Sequence, residues 1–333
     1  RQLEAKLADL EGGEASVAFA SGMAAATALL LQNLQAGDRV VVSDVSYAGV
    51  AELARHTLPR LGIDVTIVDL TDEEAFRSAL EDGPKMVYAE TPANPILKLT
   101  DIGLVARLAH DAGAQVAVDS TFATPVATRP LELGADYVVH SLTKYLGGHG
   151  DAVGGAVVGR AEAMARLTQN MSIHAGGILS PFNAWLIMRG MATLPLRMRA
   201  HAEGALQVAR HLEDHAAITR VVYPGLPSHP QHDLARRQMA CFSGMVTFQV
   251  DDGRKTARRL AERLRVIHYA VSLGHHRSLV YYLPTEDMQE NSFELNPAQL
   301  EGYRALAGDG IFRLSVGLED PTDLIADLDQ ALA

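Results

Sequence analysis

The sequence predicts an α/β protein, a doubly wound and mostly parallel sheet domain followed by a smaller α+β C-terminal domain. Three observations predict it. Apolar, β-branched runs alternate with helical stretches through the first half of the chain, the pattern of strand–helix–strand units. Those runs are apolar throughout rather than alternating, as strands covered on both faces require. From about Pro181 the pattern changes to a long helical stretch, then to shorter strands mixed with helices.

In chain order, the candidate strands are Arg39–Asp44, Asp64–Leu70, Lys85–Glu90, Gln115–Ser120, Asp136–Ser141 and Gly154–Gly159. Between them AELARHTLPRLG, EEAFRSALEDG and IGLVARLAHDAG read as helices. Ser21 ahead of an apolar run reads as a helix N-cap. The stretch beginning FNAWLIMRGM is interrupted by Pro195, which marks a kink or boundary and divides the chain into residues 1–195 and 196–333. In the second part MVTFQV and FRLSVG read as strands, and TARRLAERLR and PTDLIADLDQAL as helices.

Composition bounds the function. The chain has 333 residues, 48% hydrophobic and 21% charged, as expected of a soluble globular protein with room for two cores. With 29 basic and 40 acidic residues its formal charge is −11, which argues against a nucleic-acid partner. No run approaches the ~18 apolar residues of a membrane span, and the first residues do not resemble a signal peptide; a cytoplasmic enzyme is expected. The single cysteine, Cys241, rules out an internal disulfide or multi-cysteine metal site, and MACFSGMVTF reads as buried strand around a core thiol. Of the thirteen histidines, neither SHPQH (His229, His232) nor His275-His276 has a carboxylate at ligand spacing, so no metal is expected. His149 reads as a loop residue near the site.

In a doubly wound sheet, ligands bind beyond the carboxyl ends of the strands, where Glu90, Asp119 and Ser141 fall. Glu90 is read as structural. The segment HSLTKYLGGHGD (His140–Asp151) sets Lys144 behind the hydroxyls of Ser141 and Thr143, and VDSTFATP ends an apolar run on Asp119. An amine to hold an aldehyde, an anion to keep a pyridine nitrogen protonated and donors for a phosphate suit pyridoxal 5′-phosphate (PLP). Partial burial would bring Lys144 toward a reactive free amine. Ser21-Gly22-Met23 at a helix start suits a phosphate, whereas no G-x-G-x-x-G follows a first strand, which weakens a dinucleotide reading.

Together these segments resemble the Cys/Met-metabolism family of PLP enzymes, which includes cystathionine lyases and synthases and methionine γ-lyase. The matching stretches are SGMAA, DVSYAG, ETPANP, VDSTFATP, HSLTKYLGGHGD, AVSLG and FRLSVGLED, which run in the family's order over nearly the whole chain. The resemblance implies the fold-type I architecture of PLP enzymes. It also implies a phosphate held by the N–H groups of Gly22 and Met23 and the hydroxyls of Ser141 and Thr143. Asp119 and Thr121 would lie at the pyridine ring, Asn94 at the phenolic oxygen, and Tyr47 stacked on the ring as the acid for a leaving thiolate. Lys144 would hold the cofactor and move protons, and Arg313 would clamp the substrate α-carboxylate with Ser272 beside it. A homotetramer, built as a dimer of dimers with shared active sites, is implied as well. The family's N-terminal arm, which reaches the neighbouring subunit's phosphate, would lie ahead of Arg1.

Val271 stands where cystathionine lyases and the γ-synthase typically carry glutamate, and an apolar residue there resembles methionine γ-lyase; Gly49, however, stands where methionine γ-lyases have cysteine. HHRSLVYYLPTEDM departs from the family's usual sequence. The expectation is a PLP-dependent lyase that eliminates the γ-substituent of methionine or homocysteine. Its alternatives are a cystathionine γ- or β-lyase, a cystathionine γ-synthase or O-acylhomoserine sulfhydrylase, and, more remotely, a non-catalytic α/β binding protein.

Overall fold

The computed structural model describes residues 1–333. The first sheet is built from β1 (Ala15–Phe19), β2 (Arg39–Ser43), β3 (Asp64–Val68), β4 (Met86–Glu90), β5 (Gln115–Asp119), β6 (Tyr137–Ser141) and β7 (Gly155–Gly159). Their order is β1-β7-β6-β5-β4-β2-β3. From β3 across to β6 all pairings are parallel, and β7 runs antiparallel to both of its neighbours. The reversal at β7 restores β1 to the direction of β6. The carboxyl ends of β1, β2, β4, β5 and β6 therefore share one edge with the amino end of β7.

Both faces of this sheet are covered, which explains why its strands are apolar without alternation. Val40 and Val42 enter one core cluster with Leu29, Leu30 and Leu58, while Val41 between them packs on the opposite face with Phe76 and Val105. Every residue of β4 and β7 is buried, and only the edge strand β3 is largely open. Side chains fix the helix starts: Ser21 caps Gly22–Asn33, Asp72 caps Glu73–Glu81 and Asp101 caps Ile102–Asp111, each accepting a backbone N–H.

The second sheet comprises β8 (Arg220–Val222), β9 (Met245–Gln249), β10 (His268–Tyr269), β11 (Leu279–Pro284) and β12 (Gly310–Ser315), in the order β10-β11-β12-β9-β8. All its pairings are antiparallel except the short β10–β11 bridge. The helices Leu194–Glu213 and Pro321–Leu332 bury Val208, Leu212, Leu324 and Leu328 against it, around a Phe248–Phe312 stack with ring centroids 5.0 Å apart.

The sequence reading contained neither β1 nor β8, β10 and β11. Of the kink or boundary expected at Pro195 the structure has a boundary between helices, and Pro195 is the second residue of the helix Leu194–Glu213, where no N–H is needed. The break falls earlier, after the helix Pro181–Met191. Cys241 is half-buried and precedes the strand that begins at Met245, so the reading of its whole segment as strand is corrected.

Candidate active site

A cavity of about 420 Å³ opens over the shared edge of the first sheet, with its far wall supplied by the second. It is lined by Ser21, Gly22, Met23, Tyr47, Asn94, Asp119, Thr121, Ser141, Thr143, Lys144, Val271, Ser272 and Arg313, all candidates from the sequence, whereas His149 is not among its lining residues. Glu90, Val50, Phe122, Val153 and Leu273 complete the lining.

One end is built mainly of backbone. Ser21 accepts the Ala24 N–H at 3.1 Å and starts the helix, leaving the first-turn N–H groups directed at the cavity. A Cβ on Gly22 would lie 2.9 Å from Cβ of Ser141, and one on Gly155 would come 2.0 Å from the Ser21 carbonyl oxygen. The chain can approach this closely only because both positions are glycine. Ser141 donates its N–H to Thr121 Oγ1 at 2.8 Å, and the Thr143 hydroxyl is tied to Gly154 at 3.2 Å. The local chemistry fits a phosphate.

The floor is acidic. Asp119 ends β5 and is 9% exposed. Its Oδ1 accepts the Thr121 N–H at 3.0 Å and its Oδ2 the Tyr88 hydroxyl at 3.5 Å. Both donors are neutral. Burial holds the carboxyl above its usual range, and the Thr121 donors pull it back in part. Glu90, which ends the adjacent β4, has a different task. Its two oxygens accept the N–H groups of Tyr47 at 2.6 Å and Asn94 at 2.9 Å, so one buried carboxylate fixes both loops. Burial, and then the nearby Asp119, push it well above the ordinary carboxylate range.

The second sheet contributes Arg313 on β12. Its Nη1 donates to Asn94 Oδ1 at 2.7 Å and its Nη2 to the Ser272 carbonyl at 3.4 Å, while Nε is buried with no partner. A buried guanidinium with an unsatisfied donor is ready for a carboxylate. Lys144 lies on the turn after β6. Its Nζ donates to Ser272 Oγ at 3.1 Å, and burial followed by the charge of Arg313 lowers its pKa to about 8. The lysine turn is gripped from two sides. Arg197 donates to the Tyr145 carbonyl at 2.8 Å, and Gly274 packs so closely that a Cβ there would stand 2.6 Å from the Tyr145 nitrogen.

Tyr47 and Val271 form the rim, 49% and 63% exposed. A Cβ at Gly49 would sit 2.9 Å from both the Tyr47 ring and the Met23 sulfur, so the missing side chain leaves room for the tyrosine. The Ser272 hydroxyl meets Lys144 and its carbonyl meets Arg313. The sequence reading missed His275, whose Nε2 lies 3.3 Å from Ser272 Oγ. His229 and His232 instead satisfy the backbone carbonyls of Leu97 and Pro224.

Three features test the fit of PLP to these residues. The backbone cradle at Gly22 suits a phosphate, Asp119 has no cation hydrogen-bonded to it where a protonated pyridine nitrogen would supply one, and Lys144 offers an amine near neutrality. The residues fit the group. A doubly wound sheet with this socket at its carboxyl edge defines a PLP-dependent enzyme of fold-type I.

The chain belongs to the Cys/Met metabolism PLP-dependent enzyme family, which matches residues 1–333. It is 44% identical over 333 residues to the canavanine gamma-lyase of Pseudomonas canavaninivorans, spanning 99% of this chain and 81% of that one. To the cystathionine gamma-synthase of Mycobacterium tuberculosis it is 43% identical over 330 residues, covering 99% and 83%. The structure of cystathionine gamma synthase from Xanthomonas oryzae pv. oryzae in complex with aminoacrylate and cysteine matches with a TM-score of 0.91 at 38% identity, over 99% of this chain and 84% of that one.

Proposed function

We propose that this enzyme is a lyase that removes the γ-substituent of a sulfur amino acid, converting methionine or homocysteine and one water into 2-oxobutyrate, ammonia and a thiol. The observation that carries the reading is Val271. The rim beside Ser272 presents an exposed apolar side chain and offers no charged partner to a distal amine, which suits a short, uncharged substituent.

The geometry supports the roles that the resemblance implies. The N–H groups of Gly22 and Met23, with the hydroxyls of Ser141 and Thr143, would hold the phosphate of PLP. Asp119, steadied by Thr121, would hold the proton on the pyridine nitrogen; Asn94 would face the phenolic oxygen and Tyr47 the ring. Bound PLP supplies the electron sink that makes the hydrogen on substrate Cα acidic. Arg313 seats the α-carboxylate through its free donor. Lys144, with a pKa near 8, is close to the value at which one amine can both take and return a proton at neutral pH. It removes the Cα proton. Once it has passed that proton on, Lys144 would also take the proton that leaves Cβ, and the Tyr47 hydroxyl would protonate the departing sulfur at the rim.

A γ-replacement reaction is the second reading, supported by the 43% identity to a cystathionine gamma-synthase. The shared assembly implied by the family is supported by the exposed apolar side chains of Ile178, Phe182 and Trp185. No helix is long and apolar enough to cross a membrane. The test is incubation of PLP-loaded protein with L-methionine, following methanethiol and 2-oxobutyrate together. Equal release of both is expected. Turnover confined to cystathionine, or to an O-acylhomoserine with an added thiol, would replace this reading with one of the alternatives.

A further inference from the structure

Lys144 is the inner end of a short hydrogen-bonded chain that continues past the cavity. Its Nζ donates to Ser272 Oγ at 3.1 Å, and the same oxygen lies 3.3 Å from Nε2 of His275. A hydroxyl has one hydrogen and two lone pairs. With a lone pair facing the lysine, the Ser272 hydrogen is free to point elsewhere, and the His275 nitrogen is in place to accept it.

The chain is built rather than incidental. Ser272 has a φ of +94°, a conformation that strains a residue with a side chain. Contacts hold it there: Arg313 grips its carbonyl, and Gly274 locks the following turn onto Tyr145. The His275 ring is seated against bare backbone at Gly150, where a Cβ would come 2.6 Å from the ring. The ring is half-buried, so it joins the enclosed lysine to solvent.

We propose that His275 is a positioning residue for Lys144 and acts through Ser272: its Nε2 draws the Ser272 hydrogen and turns an oxygen lone pair onto the lysine amine. The proposal rests on the reading of Lys144 as the proton-moving amine. Burial, followed by the charges of Lys144, His276 and Arg277, pushes the His275 titration below the usual histidine range, against the opposing pull of Asp151. At neutral pH the ring is then uncharged, and in the tautomer with its proton on Nδ1 the Nε2 accepts. Once protonated, it becomes a donor that competes with Lys144 for the same oxygen.

Two measurements on the full chain test this. In the apoenzyme, the His275 ring is titrated by NMR in wild type, Lys144→Ala and Ser272→Ala. Both changes should raise its pKa, because one removes a neighbouring cation and the other a donor that favours the neutral ring. An unchanged titration in both overturns the proposal. In the PLP-loaded enzyme, Cα-hydrogen exchange of L-alanine into D₂O is followed, a probe with no γ-substituent and so independent of the leaving group. His275→Leu should slow exchange about 10-fold, the worth of one hydrogen bond, with half-saturation unchanged. His275→Gln, whose amide oxygen can accept from Ser272, should restore most of the rate. Wild-type exchange in His275→Leu, or no rescue by glutamine, overturns the proposal. If even the wild type fails to exchange, the reading of Lys144 is at fault, and the titration alone decides the role of His275.

Discussion

Asp44 and Asp119 are two buried acids at the same edge of the same sheet, and the protein treats them differently. Asp44 follows β2, is 2% exposed, and is met by Lys98 at 2.9 Å and by the Val45 N–H at 2.8 Å. Lys98 also ties Asp69 at 2.9 Å, so the ion pair stitches two connecting loops together. Asp119 ends β5, two strand positions away across the sheet, and accepts hydrogen bonds only from neutral donors. Burial pushes both carboxyls upward, but only Asp44 has a lysine to offset it. An interior charge with its own counterion is scaffold. One left without a counterion costs stability, and it persists where a ligand brings the missing charge.

Predictions can be ordered by how hard they press on that contrast. The largest effect is expected at the functional end: Lys144→Ala should lower turnover by ~10³-fold or more, the scale of losing a general base, while the far-UV circular dichroism stays as in wild type. Near-wild-type turnover would remove Lys144 from the mechanism. Next, Asp119→Asn should cost about 10²-fold in kcat with little change in melting temperature, since it removes an uncompensated charge. Asp44→Asn should do the reverse, losing about 2 kcal/mol of stability because Lys98 keeps only Asp69, with activity per folded molecule retained. If Asp119→Asn melts lower than Asp44→Asn, the distinction between scaffold and socket is broken.

The smallest effect sharpens the electrostatics. The unprotonated amine of Lys144 is the form that reacts with the PLP aldehyde, so the rate of cofactor capture by apoenzyme should rise with pH and level off above about 8. Arg313 is the second cause of that lowered value, after burial. Replacing it with glutamine should move the midpoint upward, toward an ordinary lysine, as read from the visible absorbance on adding PLP. A midpoint that stays put would mean burial alone sets the value.

Much of this was legible in the sequence, and the reasons are specific. β4 is a five-residue run buried on both faces, so Met86–Glu90 announces itself without periodicity. Asp119 and Ser141 follow similar runs, which places them at one edge before any pairing is known. β1 was missed because ASVAF is made largely of small residues, and it joins the sheet through an antiparallel partner distant in sequence. The residues Leu279–Pro284 were hidden for a different reason: their exposure follows no clean alternation. Contacts between distant segments were the least visible. Arg313 and Asn94 are 219 positions apart, and His275 reaches the site only through the positive φ at Ser272, which no local pattern announces. The motif resemblance supplied Arg313 where composition could not, and it had nothing to offer for His275 because that segment departs from the family's usual sequence.

The main-chain cradle where Gly22, Ser141 and Gly155 converge divides the cavity into a fixed half and an adjustable half. A grip made of peptide groups has no side chains to exchange, so point substitution there can break it but cannot retune it. The opposite wall, with Val271 and Ser272 around Arg313 and His275 behind Ser272, is built mainly of side chains. New substrate preferences, whether arrived at by drift or by a directed library, have to be written on that wall, and a library confined to it would sample nearly all the useful variation the site can hold.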